Sequence, residues 1–347
     1  PATGSTPLLD ARGSVTGVYG ALDYAGASSA VNSWQVWYDP SRLQATSGTP
    51  QAVADAGAND ITVAGFNMLR FGIDGNEANR RTKAAAVICD WLKTPDILGV
   101  SEVDDIATLT ALAGEINATC ASAPAYAPYL VEGNDVGGID VGFLVSNRVV
   151  REGVRVEVLE VEQHGKDAVQ KNKDGSDSDK LLNDRPPLRL KAIVHFTDGR
   201  RYPLTVVAAH QRSLSDVDSS DSVDPATHLG YSIRGEEVRA KRAEQAAYVA
   251  QLVDDLQTAD PSGKIVLVGD FNTFDVNDGY VDAMGITTGN PAPASEVIHW
   301  ADSPLSPANG GRPLIVGNEL TADPEERYSY IFGNITQTLD HVLVNEA

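Results

Sequence analysis

Apolar residues along this chain follow two rhythms that alternate. Short apolar runs bounded by Gly, Pro and Asp read as strands: "DITVAGFNMLRFG" ending at Asn67, "DILGVSEV" carrying Glu102, "GGIDVGFLVSN", "VRVEVLEV", "PLRLKAIVHFT", "YPLTVVAAHQRS" carrying His210, and "VLVGDFN" carrying Asp270. Between them, "NRRTKAAAVICDWLKT", "DIATLTALAGEINAT" and "RGEEVRAKRAEQAAYVAQLVDDL" repeat their apolar positions at helical spacing, and the second opens on an acid that suits the helix dipole. Pro95 stops the first helix. The chain closes with "YSYIFG", a turn and "TLDHVLVN". The polar stretch "QHGKDAVQKNKDGSDSDKLLND" reads as a mobile surface loop, and the Ser and Asp rich segment from Ser213 to Asp224 as a second loop. Strands interleaved with helices predict a layered α/β fold with mixed sheets, and no internal repeat is visible.

Residues 1–57 differ in composition. They are rich in Gly, Ala, Ser and Thr, with two β-like pieces, "SVTGVYGALDY" and "SWQVWYD", so they predict a small β-rich appendage before a main domain over 58–347. The chain opens at Pro1 with "PATGSTP", which reads as a trimmed N-terminus. A length of 347 residues suffices for a large core, and no run of about eighteen apolar residues is present to span a membrane.

Charge changes the picture. Asp and Glu number 48 against 27 Lys and Arg, a formal net charge of -21, which repels polyanions unless cations or a local basic patch intervene. A solvated acidic surface accounts for most of these charges, and bound divalent metal would offset those near a site. The two cysteines, Cys89 and Cys120, have no neighbour at zinc-binding spacing. They lie on consecutive helical segments flanking the strand that delivers Glu102, and in an exported chain they are expected to pair.

The strands deliver Asn67, Glu102, His210, Asp270 with Asn272, and Asp340 with His341 at what the pattern marks as their carboxyl ends, the edge where α/β folds bind ligands. Singly, each has an ordinary reading: the asparagines form turns, His210 ends a strand, Glu102 starts a helix. Together they are the wrong residues for closing strands at random.

The motifs "FNMLR", "GVSEV", "AHQRS", "GDFN" and "LDHVLVN", in that order over residues 60 to 345, resemble the endonuclease/exonuclease/phosphatase superfamily. "VTGVYGALDY", "GDFNTFDVNDGYVDAMG" and "RYSYIFGNITQTLDHVLVN" look like its bacterial extracellular nuclease-like branch. The resemblance implies a four-layer α/β sandwich, two mixed β-sheets packed face to face with helices outside, and hydrolysis of phosphoesters with Mg²⁺, or Mn²⁺ or Ca²⁺ in its place. It implies Glu102, Asn67 and Asp340 at the metal, Asp270 as the base that deprotonates water, and Asn272 and His210 as donors to the phosphoryl group. His341 would contact the phosphate or assist it, with Asp340 alternatively fixing that ring. Arg185 and Arg212 are candidate substrate contacts; Arg185 serves equally well as a loop residue satisfying carbonyls.

Two features depart from the family. The Asp that pairs with the "DH" histidine in several members has no clear counterpart, with Asn318 and Asp323 as the choices, and Arg212 stands where Lys is usual. The leading expectation is a secreted or cell-surface bacterial nuclease of low sequence specificity, a monomer, and possibly one part of a longer multidomain protein. It needs a cationic track, for which Arg80, Arg81, Lys83, Arg212, Arg234, Arg239, Lys241 and Arg242 are candidates. A phosphatase of small soluble phosphoesters suits the acidic charge better, and an inactive binding module is the third reading.

Overall fold

A computed structural model describes residues 14–16, 20–25, 33–38, 44–46, 52–75, 77–151, 153–321, 327–332 and 335–347. The chain divides into two compact units, Pro1–Ala54 and Asp55–Ala347. In the first, Ser14–Thr16 pairs with Gln44–Thr46 and Gly20–Ala25 with Ser33–Tyr38, both antiparallel.

The second unit holds two mixed sheets. One has strands β1 (Val63–Phe71), β2 (Ile97–Val103), β3 (Tyr126–Leu130) and β4 (Asp140–Ser146) in the order β1-β2-β4-β3, with β1 and β2 parallel. The other has β5 (Val156–Gln163), β6 (Leu188–His195), β7 (Arg201–His210), β8 (Ile265–Asp270), β9 (Ile315–Val316) and a last strand, β12 (Asp340–Val344), in the order β5-β6-β7-β8-β12-β9. Here β7 and β8 run parallel. Between β9 and β12 lies a separate antiparallel hairpin of β10 (Tyr330–Phe332) and β11 (Ile335–Gln337).

Three apolar layers follow from period-two alternation along these strands. Phe143 and Val145 of the first sheet meet Leu188, Leu190, Val206 and Val268 of the second in the central core. On the far side of the first sheet, Leu98 and Val100 pack on Leu109, Leu112 and Ile116 of α2 (Ile106–Thr119), beside α1 (Glu77–Ala86). On the far side of the second, Val207, Leu267 and Leu343 pack on Val249 and Val253 of α3 (Arg234–Ala259), beside the short α4 (Ala283–Thr288). The result is the four-layer α/β sandwich, helix, sheet, sheet, helix. α2 starts where Asp105 caps it, accepting from the Thr108 amide at 2.7 Å. The sheets approach closely where β2 crosses β8: a Cβ on Gly99 would lie 2.5 Å from Val268 Cγ2.

The stretch between β5 and β6 departs from the expected loop. It contains an antiparallel hairpin, Val169–Lys171 with Asp177–Leu181, closed by a turn in which Gly175 takes φ 87°. The Lys171 amide donates to Glu244 Oε2 at 2.8 Å and Lys173 pairs with Glu236 at 2.7 Å, which pins the hairpin on α3. Its outer face, with Lys171, Asp177 and Asp179, is exposed, while Gln170 on the other face is buried, so its polar composition does not mark a lack of structure.

Cys89, in the widened π-helical turn Val87–Trp91 after α1, is bonded to Cys120 at the end of α2. The bridge closes a loop with a sequence separation of 31. Closing a loop of that length restricts the unfolded chain by about 3 to 4 kcal/mol. Reduction, or Cys89→Ala with Cys120→Ala, is therefore expected to lower the urea midpoint while leaving hydrolysis intact; an unchanged midpoint on reduction would count against it.

Candidate active site

Simple alternation along β1 points Asn67 into the space between the sheets, since Phe66 and Met68 pack on the helix side. Glu102 needs more than alternation. Val100 and Val103 both pack on the helices, three positions apart, because a bulge interrupts the β2 pairing between them. The bulge, with Glu102 at φ 61°, swings its carboxylate to the inner side. Leu69, Arg70 and Asn272 also take positive φ values of 48°, 51° and 50°, so four non-glycine residues at this site hold left-handed backbone. The β1 pairing also shifts register between Asn67 and Phe71, and Arg80 holds this bulge by donating to the carbonyls of Met68 at 2.8 Å, Arg70 at 3.2 Å and Leu69.

The second sheet supplies the rest. His210 ends β7 opposite Asp270, which ends β8. The glycine before Asp270 is required: Gly269 has φ 137°, and a Cβ there would lie 2.0 Å from the Ala209 carbonyl oxygen. β12 runs antiparallel to β8, so Asp340 and His341 open their strand rather than end it, and Asp340 reaches the same edge opposite Asp270.

Side-chain contacts bind these groups together. Asn67 Nδ2 donates to Glu102 Oε1 at 3.1 Å and to Asp270 Oδ2 at 3.0 Å, while its oxygen accepts from the Leu69 amide at 2.9 Å. Glu102 Oε2 accepts from the Arg70 amide at 3.0 Å, and Asp270 Oδ1 from the Asn272 amide at 2.7 Å. Asn272 Nδ2 donates to the Gln211 carbonyl at 3.0 Å, leaving its second N–H for another acceptor. His210 Nε2 stands 3.9 Å from Glu102 Oε1 and 3.8 Å from Asp270 Oδ2. Ser329 Oγ accepts from the amides of Leu339 at 3.0 Å and Asp340 at 2.9 Å, setting the start of β12.

Asn67, Glu102, Asp270, Asn272, Ser329 and Asp340 line a cleft of about 380 Å³ with Gly65, Phe66, Leu69, Tyr330 and Leu339, and His210 is buried beside Glu102 and Asp270. A larger groove of about 630 Å³ lies at the opposite ends of the strands, around Ile61, Val63, Phe196 and Tyr202; its polar lining is Asn59, Asp60, Arg200 and Arg201, with a single carboxylate. Burial first, then the charges of Asp340 and Glu102, push the Asp270 pKa up to about 7. Burial first and Glu102 second likewise raise that of Asp340. His210 goes the other way: burial, then the charge of Arg185, holds it well below the ordinary imidazole value, so the ring is neutral.

Crowded, desolvated carboxylates without a cationic partner are what a divalent metal satisfies. Ligand atoms of Glu102, His210 and Asp270 lie within 4.8 Å of one another, and Asp340 Oδ1 is buried without a hydrogen-bond partner. The residues present fit a divalent ion. Glu102 is common to this cluster and to the expected ligand set Asn67, Glu102 and Asp340; the Asn67 amide bridges Glu102 and Asp270, and Asp340 lines the same cleft.

Three expected site residues sit elsewhere. His341 shares the outer face of β12 with Leu343; its Nε2 donates to the Thr273 carbonyl at 2.8 Å and its ring meets Phe271 edge-on at 6.0 Å. Burial lowers its pKa, so it holds the turn after β8 as a neutral ring. Asn318, one of the two residues considered as its partner, instead donates to the Asp340 carbonyl at 3.2 Å; Asp323 lies outside the described residues. Arg185 donates to the Gln211 carbonyl at 2.9 Å and pairs with Asp135 at 3.1 Å, so it satisfies carbonyls behind the cleft. Arg212 bonds to Ser213 Oγ at 2.6 Å, in a pocket with Lys180, Arg234 and Lys241.

The expected cationic track is largely committed to structure. Arg234 pairs with Glu237 at 2.7 Å and Lys241 with Asp184 at 2.8 Å, while buried Arg239 donates to the Val217 carbonyl at 2.6 Å. Buried Arg242 donates to the carbonyls of Arg212 at 2.6 Å and Asn272 at 2.9 Å, bracing the turn that follows Asp270. Helical spacing alone did not reveal this role: it offered Arg242 only as part of a cationic track.

No curated protein sequence matches the chain. Solved structures similar to it include truncated Caenorhabditis elegans TDP2, at 15% identity and TM-score 0.45 over 83% of this chain and 84% of that one. An endonuclease/exonuclease/phosphatase family protein from Bacteroides thetaiotaomicron has 14% identity and TM-score 0.47 over 82% and 81% of the two chains. The mannosyl-6-phosphatase of the same organism has 13% identity and TM-score 0.44 over 83% and 86%. The profile of the Endonuclease/Exonuclease/phosphatase family matches residues 64–347, most of the chain and every strand that bears on the cleft, and the protein belongs to that family of phosphoester hydrolases.

Proposed function

We propose that this protein is a divalent-metal-dependent phosphodiesterase, a secreted nuclease of low sequence specificity. The observation that carries the reading is the composition of the cleft. Its lining holds Glu102, Asp270 and Asp340 with the amides of Asn67 and Asn272, and no Lys or Arg among the described residues. A phosphomonoester carries between one and two negative charges near pH 7, a diester one, so the diester meets less repulsion from three carboxylates.

Asp270, with a pKa raised toward neutrality, takes the proton of an attacking water. Asn272 offers its free N–H to a phosphoryl oxygen, and neutral His210 donates a second hydrogen bond. Glu102 and its neighbours would hold the metal, which supplies Lewis-acid charge against the phosphoryl oxygens. The disulfide supports an oxidising compartment and hence export.

A second reading, hydrolysis of small soluble phosphoesters, is favoured by the pairing of most basic side chains and the net charge of -21. Product release from plasmid, single-stranded DNA, RNA, an aryl phosphodiester and a phosphomonoester, each with Mg²⁺ and with chelator, separates the two. Chelator-sensitive cleavage of nucleic acid above phosphomonoester turnover is expected; turnover of the monoester alone would overturn the diesterase reading.

A further inference from the structure

The hairpin of β10 and β11 exposes apolar side chains beside the cleft. Tyr330 is 48%, Phe332 63% and Ile335 60% exposed. The register places Phe332 directly opposite Ile335 and Tyr330 opposite Gln337, so Tyr330, Phe332 and Ile335 share one face of the hairpin. The two rings lie nearly parallel, 18° apart with centroids 6.4 Å from each other. Tyr330 also lines the catalytic cleft, next to Ser329 and Asp340. The other rim carries Leu69, 65% exposed and fixed at φ 48° by the bulge that Arg80 holds. A substrate with its phosphate at Asp270 therefore extends its attached group toward exposed apolar side chains.

We infer that the Tyr330 and Phe332 rings form a stacking platform for an unpaired nucleobase next to the scissile phosphate, making single-stranded nucleic acid the preferred substrate. This rests on the phosphodiesterase reading and narrows it. Three observations select the base as occupant. The platform is continuous with the cleft, so its ligand is the group attached to the phosphate. Beyond the polar groups at the phosphate, the face that Tyr330, Phe332 and Ile335 share is apolar and exposed, which suits the π-face of a base. Among the described residues the cleft lining has no Lys or Arg, so affinity must come from stacking more than from basic phosphate contacts. Bases within a duplex have both faces covered, which leaves unpaired ones to bind. Stacking also tolerates every base, in keeping with low sequence specificity.

The test is equilibrium binding of a short fluorescent single-stranded DNA and of an abasic strand of the same length, with Mg²⁺, to Asp270→Asn protein. Binding is measured with the native hairpin and with Phe332→Ala or Phe332→Trp added. Phe332 is exposed, so its truncation opens no core cavity. The native hairpin is expected to prefer the base-bearing strand about tenfold, Phe332→Ala to abolish that preference, and Phe332→Trp to keep it. Equal affinity for the two strands, or a preference that survives Phe332→Ala, overturns the platform while leaving the diesterase reading standing. If the wild-type enzyme cleaves no nucleic acid and turns over a phosphomonoester instead, the underlying reading fails and the platform with it.

Discussion

Asp270→Asn is expected to retain substrate binding and to slow the chemical step by roughly 10² to 10⁴ fold, the scale of losing a general base. The amide keeps the shape of the carboxylate between Asn67 and the Asn272 amide but cannot accept a proton from water. The loss should fall on kcat, measured as a single-turnover rate. The same substitution has a second signature in metal-free protein. The folded-state pKa of Asp270 is raised to about 7, so its stabilising contribution is fully present below the unfolded value of 3.8 and is lost as pH rises through about 7. Asparagine removes that dependence, and the metal-free variant should be more stable than wild type above neutrality. A variant turning over near the wild-type rate would show that another group is the base.

Much of this site was legible because period two survives to the strand ends. In "VLVGD" and "AAH" the same alternation that buries Val268 and Ala208 between the sheets aims Asp270 and His210 at the cleft. The rest depended on backbone departures that leave little mark on composition. Nothing in "GVSEV" marks a bulge, since neither Gly nor Pro follows Val100, and strict alternation would have sent Glu102 to the helix side.

His341 is the opposite case. In "DHVLV" alternation already separates Asp340, Val342 and Val344 from His341 and Leu343, and the motif's adjacency concealed that split. The basic residues misled for a different reason. Arg80, Arg239 and Arg242 satisfy carbonyls that bulges and tight turns leave unpaired, and such needs arise from tertiary contacts.

Glu102 carries the largest consequence for the metal. Its carboxylate is placed by the β2 bulge and held by Asn67 and the Arg70 amide, with a solvent-accessible cleft before it. Glu102→Gln removes one charge from a crowded acidic site and opens no cavity in the core, so the protein should fold normally. Affinity for a divalent cation is expected to fall by roughly 10² fold or more, and hydrolysis with it. The decisive measurement is a calorimetric titration of Mg²⁺ and Mn²⁺ into chelator-stripped wild type and Glu102→Gln, with phosphodiester turnover followed on the same samples. The account predicts that wild type binds the ion and regains turnover in proportion to occupancy, while the variant does neither at the same concentrations. Wild-type turnover that survives exhaustive chelation, or a Glu102→Gln protein that binds and turns over like wild type, would contradict it.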